Sequence, residues 1–414
     1  MRGIPLPAAV LPALCLAALF ATGNDAAAVG PEATTSANAA LAAAPGGLAA
    51  GEAADSLQAI VQGVVDGNPE IFGAVLLVDG PYLSWRGAAG LADPAAGRAM
   101  AAGDQFYLAS VAKTMTAALV LKLAEAGRVG LDDPVADYLP DSLLAGLFTV
   151  GGRPRHGEVT LRQLLGHTAG VADAFNDDAF IALLVARPDS VWTPRAVLAY
   201  TREHQAAHFA PGEGWRYSDN GYNLLGLVVE AVTGSPLTAV YRDLLLDPLG
   251  MRHTFRHFAG EDRQAIPGRP PSHWFRGDLD CTPLVSLTSD WAGGGLYSTA
   301  EDLRRFLRAL FGGRLFARQE TLDAMRTTRA AWDGSGYGLG IIRVRELESA
   351  RAPEVLPPDW GELWGHIGAS SAFMYYWPER DTVFAGTMNQ MRAQGLIDAL
   401  VTEAMAVVEA RAVR

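Results

Sequence analysis

Apolar residues along this 414-residue chain recur with two different periods, and the two periods separate its elements. From Ser56 the stretch SLQAIVQGVV places them at helical spacing, and GLIDALVTEAMAVVEA near the C-terminus does the same. GAVLLVDG and YLSWRGAAG are short apolar runs divided at Gly80-Pro81, which predicts two strands joined by a turn. Strand-like runs return late, in YGLGIIRV, SAFMYYW and TVFAGTMNQ, so both ends of the chain feed one sheet. The middle reads as short helices between long Pro- and Gly-rich loops, with no internal repeat. The expected fold is mixed α/β (α+β): a sheet lobe from residues 55–135 and 285–405, flanked by terminal helices, with a mostly helical lobe, 136–284, inserted between its strands.

The N-terminal segment has a different pattern. Arg2 precedes an apolar stretch from Ile4 to Ala21, and small residues follow, with candidate cleavage sites near Gly23 or Ala28. Residues 1–28 are therefore read as a signal peptide, and 29–54, rich in Ala, Gly and Thr without a hydrophobic period, as a flexible leader. An uncleaved anchor is the competing reading; Pro5, Pro7 and Pro12 interrupt the stretch, and it barely reaches spanning length. Cys15 follows Leu14 where a lipoprotein signal needs a small residue. A secreted protein, periplasmic or extracellular, with no membrane span after signal removal is the expectation.

Composition narrows the partners. A net charge of −12 argues against nucleic acid and anionic membrane surfaces, which need basic patches. Removing the signal leaves Cys281 alone, so no internal disulfide is expected, and nothing near Cys281 marks it as activated. The eight histidines show no metal-ligand spacing. His204 and His208 are at helical spacing but lack a third ligand, and GGGLYS lacks a phosphate-loop lysine. No metal or cofactor is expected.

Chemistry is most legible in SVAKTMTAALVLKLAEAG, apolar on every face and read as a buried helix ending at Gly127. Ser110 stands at its start and Lys113 three residues later, on the same face. Burial would depress the lysine, and a neutral amine beside a hydroxyl is a base. Of the 33 basic residues only Lys113 and Lys122 are lysine. A chain so biased toward arginine keeps lysine where arginine, which cannot deprotonate, will not serve. A capped helix carrying a snorkelling lysine is the plainer alternative.

Five segments, FYLASVAKTMTA, LRQLLGHTAGV, FAPGEGWRYSDNGYNLLG, GGGLYSTAEDLRRF and WGHIGASSAF, together resemble the serine β-lactamase-like superfamily, nearest to class C β-lactamases, DD-peptidases and related esterases. The resemblance spans most of residues 55–400 and implies an antiparallel sheet with the active site in a cleft between sheet and helical lobes. It implies Tyr217 as a second catalytic group, relaying a proton if Lys113 lowers its pKa; a core tyrosine is the alternative. It makes His366-Ile367-Gly368 the third element, with the amides of Ser110 and Ala369 as an oxyanion hole and Gly368 admitting the substrate backbone. His366 is equally readable as a structural hydrogen-bonding residue. His167 is read as structural, and Ser298 to Asp302 as a helix cap.

Two positions depart from the superfamily pattern. Asp219 stands where relatives often have Asn, and Ile367 where they often have Thr. Both weaken recognition of a substrate carboxylate, and Asp219 is expected to accept a bond from a substrate amine. The expected activity is acyl-enzyme hydrolysis of a small-molecule ester, amide or peptide. A β-lactamase, or a catalytically idle penicillin-binding-like protein, is the alternative.

Overall fold

In the computed structural model, which describes residues 48–256, 266, 268–331, 335–344 and 360–412, alternation of side chains along each strand decides which face of the sheet it serves. Helix α1 (Ala50–Gly67) leads into β1 (Gly73–Asp79), β2 (Ser84–Asp93) and β3 (Arg98–Ala99). After the inserted helical region the chain returns through β4 (Arg329–Ala330), β5 (Gly336–Tyr337), β6 (Ile342–Val344), β7 (Leu363–Ile367), β8 (Ala372–Trp377) and β9 (Thr382–Met388), and ends in a long helix, Gln394–Ala412. These strands form one antiparallel sheet in the order β4-β5-β6-β7-β8-β9-β1-β2-β3. Strands from the two ends of the chain meet at its centre, where Ala74 faces Met388 and Val78 faces Phe384.

Two details differ from the sequence reading. The first helix begins at Ala50, ahead of Ser56, and so takes in residues assigned to the leader; Glu52 accepts the Ala49 N–H and caps it. The run YGLGIIRV is a hairpin rather than one strand, because Gly338 N–H donates to Ile341 O and closes a turn between β5 and β6. The signal segment, 1–28, lies outside the described residues. Among the described residues no single helix is long and apolar enough to cross a membrane.

The period of two in β1 puts Ala74, Leu76 and Val78 on one face, and Val75 and Leu77 on the other. The first set packs with Phe373, Trp377 and Phe384 under Leu57 and Val61 of α1 and Leu400, Val401 and Met405 of the terminal helix. The second set joins a larger core with the helical region, built on the helices Ala112–Glu125, Asp219–Thr233 and Ala300–Phe311. Thr299 caps the last of these by accepting the Asp302 N–H, as the YSTAED stretch predicts. The candidate site lies on this second face. Cys281 is buried and its thiol is pushed up to about 12 by burial, so it stays protonated.

Candidate active site

Ser110 sits in a single 3₁₀ turn, Ala109–Val111, immediately before the helix Ala112–Glu125. Ala109 has φ 44°, a left-handed conformation that costs an alanine about 1–2 kcal/mol. The surroundings enforce that kink. Ser370 Oγ donates to Tyr107 O at 2.7 Å, and Leu108 N–H donates to Leu296 O at 2.9 Å. Behind Ser110 the helix is apolar all round, with Met115, Ala118, Leu119 and Leu121 buried, so the turn rests on a rigid rod.

Lys113 is fully buried one turn further on. Its ammonium donates to Ser110 Oγ at 3.0 Å, to Gly293 O at 2.8 Å, and to Asp219, with which it forms an ion pair. Three donors thus meet three acceptors. Burial alone would push Lys113 down, but Asp219, with Tyr217 and Asp290 behind it, outweighs burial and holds it above the ordinary lysine range. The neutral amine expected from desolvation is therefore corrected: the resting group is an ammonium, because the helix Asp219–Thr233 brings a carboxylate to it.

Tyr217 lies with its ring centroid 4.9 Å from Lys113 Nζ and its phenol within bonding reach of Lys113 and Ser110. Its pKa runs opposite to expectation. Burial and the nearby Asp219 charge raise it, and the lowering from Lys113 does not compensate. The phenol is a proton donor here, not a phenolate. His167, in a left-handed conformation at φ 59°, braces the ring at 4.2 Å between centroids and accepts the Ser218 N–H at Nδ1. That agrees with a structural role.

The strand residues divide. Gly368 lies against the nucleophile turn: a Cβ there would collide with Leu108 O and lie 3.2 Å from Ala109 Cβ. Ala369 follows in the same turn, and its carbonyl accepts the Arg392 N–H at 3.0 Å. His366 is not presented to a substrate. It is buried, its Nδ1 donates to Ile367 O at 2.7 Å, its Nε2 accepts from Tyr337 at 3.1 Å, and burial pushes it down to about 3. It is a neutral residue bonded at both ring nitrogens, the geometry of the structural alternative. Asp219, expected to meet substrate as well, is ion-paired with Lys113. Ile367 packs with the apolar cluster beneath the terminal helices, so its side chain does not define the cleft.

Sequence reading missed two buried carboxylates. Asp290 accepts the Tyr107 hydroxyl at 2.9 Å, and burial with the Asp219 charge pushes it up to about 7. Asp173 accepts N–H bonds from Phe175 at 3.0 Å and Asp219 at 3.1 Å, and is held well above the carboxylate range by burial and the Asp219 charge. The lead to Asp290 was the run of glycines after it. A Cβ on Gly293 would lie 2.7 Å from Asp219 Oδ1, 3.0 Å from Asp290 Oδ1 and 3.4 Å from Lys113 Nζ, so only glycine lets the three converge.

Known proteins carry the same scaffold. Esterase EstB of Burkholderia gladioli is 31% identical over 333 residues, covering 72% of this chain and 82% of that protein. Penicillin-binding protein 4* of Bacillus subtilis is 30% identical over 298 residues, 67% of this chain and 61% of that one. The solved D-stereospecific amidohydrolase from Streptomyces sp. superposes with a TM-score of 0.67 at 28% identity, over 84% of this chain and 98% of its own. The family profile described as beta-lactamase matches residues 57–404, from the first helix to the last. With that span matched, the chain belongs to the beta-lactamase family and is a serine hydrolase.

Proposed function

We propose that Ser110 is the nucleophile of a covalent acyl-enzyme cycle acting on neutral esters and amides, with Lys113 as its proton partner and Tyr217 as donor to the leaving group. The observation that carries this is the 3.0 Å bond between Lys113 Nζ and Ser110 Oγ, made at a turn wedged against Gly368 and Ala369. Ser110 attacks the carbonyl, and the amides of Ser110 and Ala369 hold the oxyanion. A proton reaches the leaving oxygen or nitrogen through Tyr217. Water then repeats the sequence against the acyl group and returns the proton to Ser110.

The preference for neutral substrates rests on His366. A strand cation at this place could hold a substrate carboxylate, but His366 is neutral, buried and bonded at both nitrogens. A carboxylate drawn beside Asp219 would add negative charge without a partner. Similarity to an esterase and to a D-stereospecific amidohydrolase supports esters and D-amino-acid amides as the first substrates to try. The test compares kcat/KM for p-nitrophenyl butyrate, D-phenylalanine amide, a cephalosporin and a D-Ala-D-Ala peptide. The pair without a carboxylate is expected to be turned over faster; faster turnover of the two carboxylates would contradict the assignment. Export, directed by residues 1–28, is part of the same proposal, and N-terminal sequencing of the mature protein tests it.

A further inference from the structure

We propose that Asp219 acts through Lys113 as the terminal acceptor of the Ser110 proton, so that Ser110, Lys113 and Asp219 form a two-proton relay. This rests on the reading of Ser110 as nucleophile.

An ammonium whose three N–H groups are all taken cannot accept a proton from Ser110, so something must first receive one of its own. The surroundings leave one recipient. His366 uses its lone pair to accept from Tyr337, and His167 uses its Nδ1 lone pair to accept from Ser218 N–H. Tyr217, Tyr222 and Tyr337 are protonated phenols raised by burial. Asp173 is occupied by two backbone N–H bonds, and Asp290 bonds Tyr107 rather than Lys113. Of the three carboxylates Asp173, Asp219 and Asp290, Asp219 is the one that bonds the ammonium directly. Its side chain is 13% exposed, whereas that of Lys113 is 0%, so the relay runs from the buried base toward the cleft.

The step balances. The Ser110 O–H bond breaks as an Nζ–H bond forms; another Nζ–H bond breaks as an Asp219 O–H bond forms. The serine oxygen bonds the substrate carbon, and the carbonyl pair moves onto oxygen. The site holds Lys⁺ and Asp⁻ before the step, and Lys⁺, neutral Asp219 and the oxyanion after it, so net charge is unchanged. Low local dielectric then penalises the transfer little, since no charge is created. Collapse of the intermediate sends the proton on Lys113 to the leaving group through Tyr217, and Asp219 returns its own to the amine.

An asparagine at 219 keeps the size and the accepting oxygen but cannot take a proton. In Asp219→Asn the Asp219 charge no longer outweighs burial, so Lys113 is pushed down and becomes the base only where it has already given its proton to solvent. The readout is the second-order rate of Ser110 labelling by a fluorophosphonate, measured against pH for both proteins. Wild type should be nearly flat from about pH 6 to about pH 9, as expected when the base regenerates within the site. Asp219→Asn should instead show a steep acid limb, falling about tenfold per pH unit wherever Lys113 is protonated, as expected when the lysine has no bonded acceptor for its proton. Proton inventories in mixed H₂O and D₂O should be curved for wild type and linear for the variant. Asp290→Asn on both backgrounds removes a neighbour that burial and the Asp219 charge raise to about 7. An equal loss at every pH, with unchanged profile shape, or a linear wild-type inventory, would overturn the relay while leaving Ser110 the nucleophile. Absence of label on Ser110 in the wild type would overturn the nucleophile reading itself.

Discussion

The two faces of the central sheet are built by opposite rules. Under the terminal helices, Leu57, Val61, Phe373, Trp377, Phe384 and Leu400 form a cluster of apolar side chains. On the other face, within the larger core, Lys113, Asp173, Asp219 and Asp290 are gathered beside Ser110, with Ala109 and His167 in left-handed conformations. Buried charge and backbone strain cost free energy, while apolar burial supplies about 25 cal/mol per Å². The quiet face therefore stabilises a sheet whose other face is locally unfavourable. Substitutions on the two faces should separate cleanly into effects on activity and effects on stability.

The largest effect is expected at Lys113. Lys113→Arg should lose about 10³-fold or more in kcat/KM, nearly as much as Lys113→Ala, because a guanidinium can hold charge but cannot exchange a proton. An arginine variant with substantial ester hydrolysis would show that charge alone suffices. Next comes Gly368→Val. Its side chain would drive the turn off Leu108 O, and misplacing Ala369 by about 1 Å should cost roughly 10²-fold in kcat per folded molecule, beside a lower Tm from the displaced backbone. Steady-state kinetics beside a thermal melt distinguishes this from general unfolding.

Leu57→Ala probes the other face. Leu57 is fully buried, and its truncation should cost about 2–5 kcal/mol in denaturant unfolding with kcat/KM per folded molecule unchanged. A parallel loss of activity would mean that the faces are not independent. The smallest effect is expected for Asp290→Asn. Asp290 is raised to about 7 in the folded protein, so the folded state binds its proton more tightly than the unfolded chain. Its contribution is therefore present at acid pH and lost as pH rises toward and through 7, the reverse of a salt-bridged aspartate. The variant should melt a few degrees higher than wild type at pH 8, with the gap narrowing as pH falls below about 7 and closing only below the unfolded aspartate's range, near 3.8. A gap that is constant with pH would remove this assignment.

Which parts were readable in the sequence follows from the same contrast. The quiet face was legible because its residues are periodic: two in GAVLLVDG and TVFAGTMNQ, helical in the terminal segment. Ser110, Lys113 and Tyr217 were legible because short motifs carry them, and the structure brings those three together. Their charge states were not. Whether Lys113 is amine or ammonium depends on Asp219, 106 positions away, and on Asp290, and no spacing in the sequence says that their side chains converge on it. The surroundings of Asp219 and Ile367 were not legible because adjacency to a motif says nothing of where a side chain points; one turns to Lys113 and the other to the apolar cluster. The early start of the first helix was hidden by alanine and glycine, which carry no hydrophobic period.

Intact-mass and peptide mapping after treatment with a fluorophosphonate tests the central claim most directly. One label per chain, on the peptide containing Ser110, and none on folded Ser110→Ala, is the predicted result. Label on another residue, or ester hydrolysis by Ser110→Ala at a rate close to wild type, would contradict it.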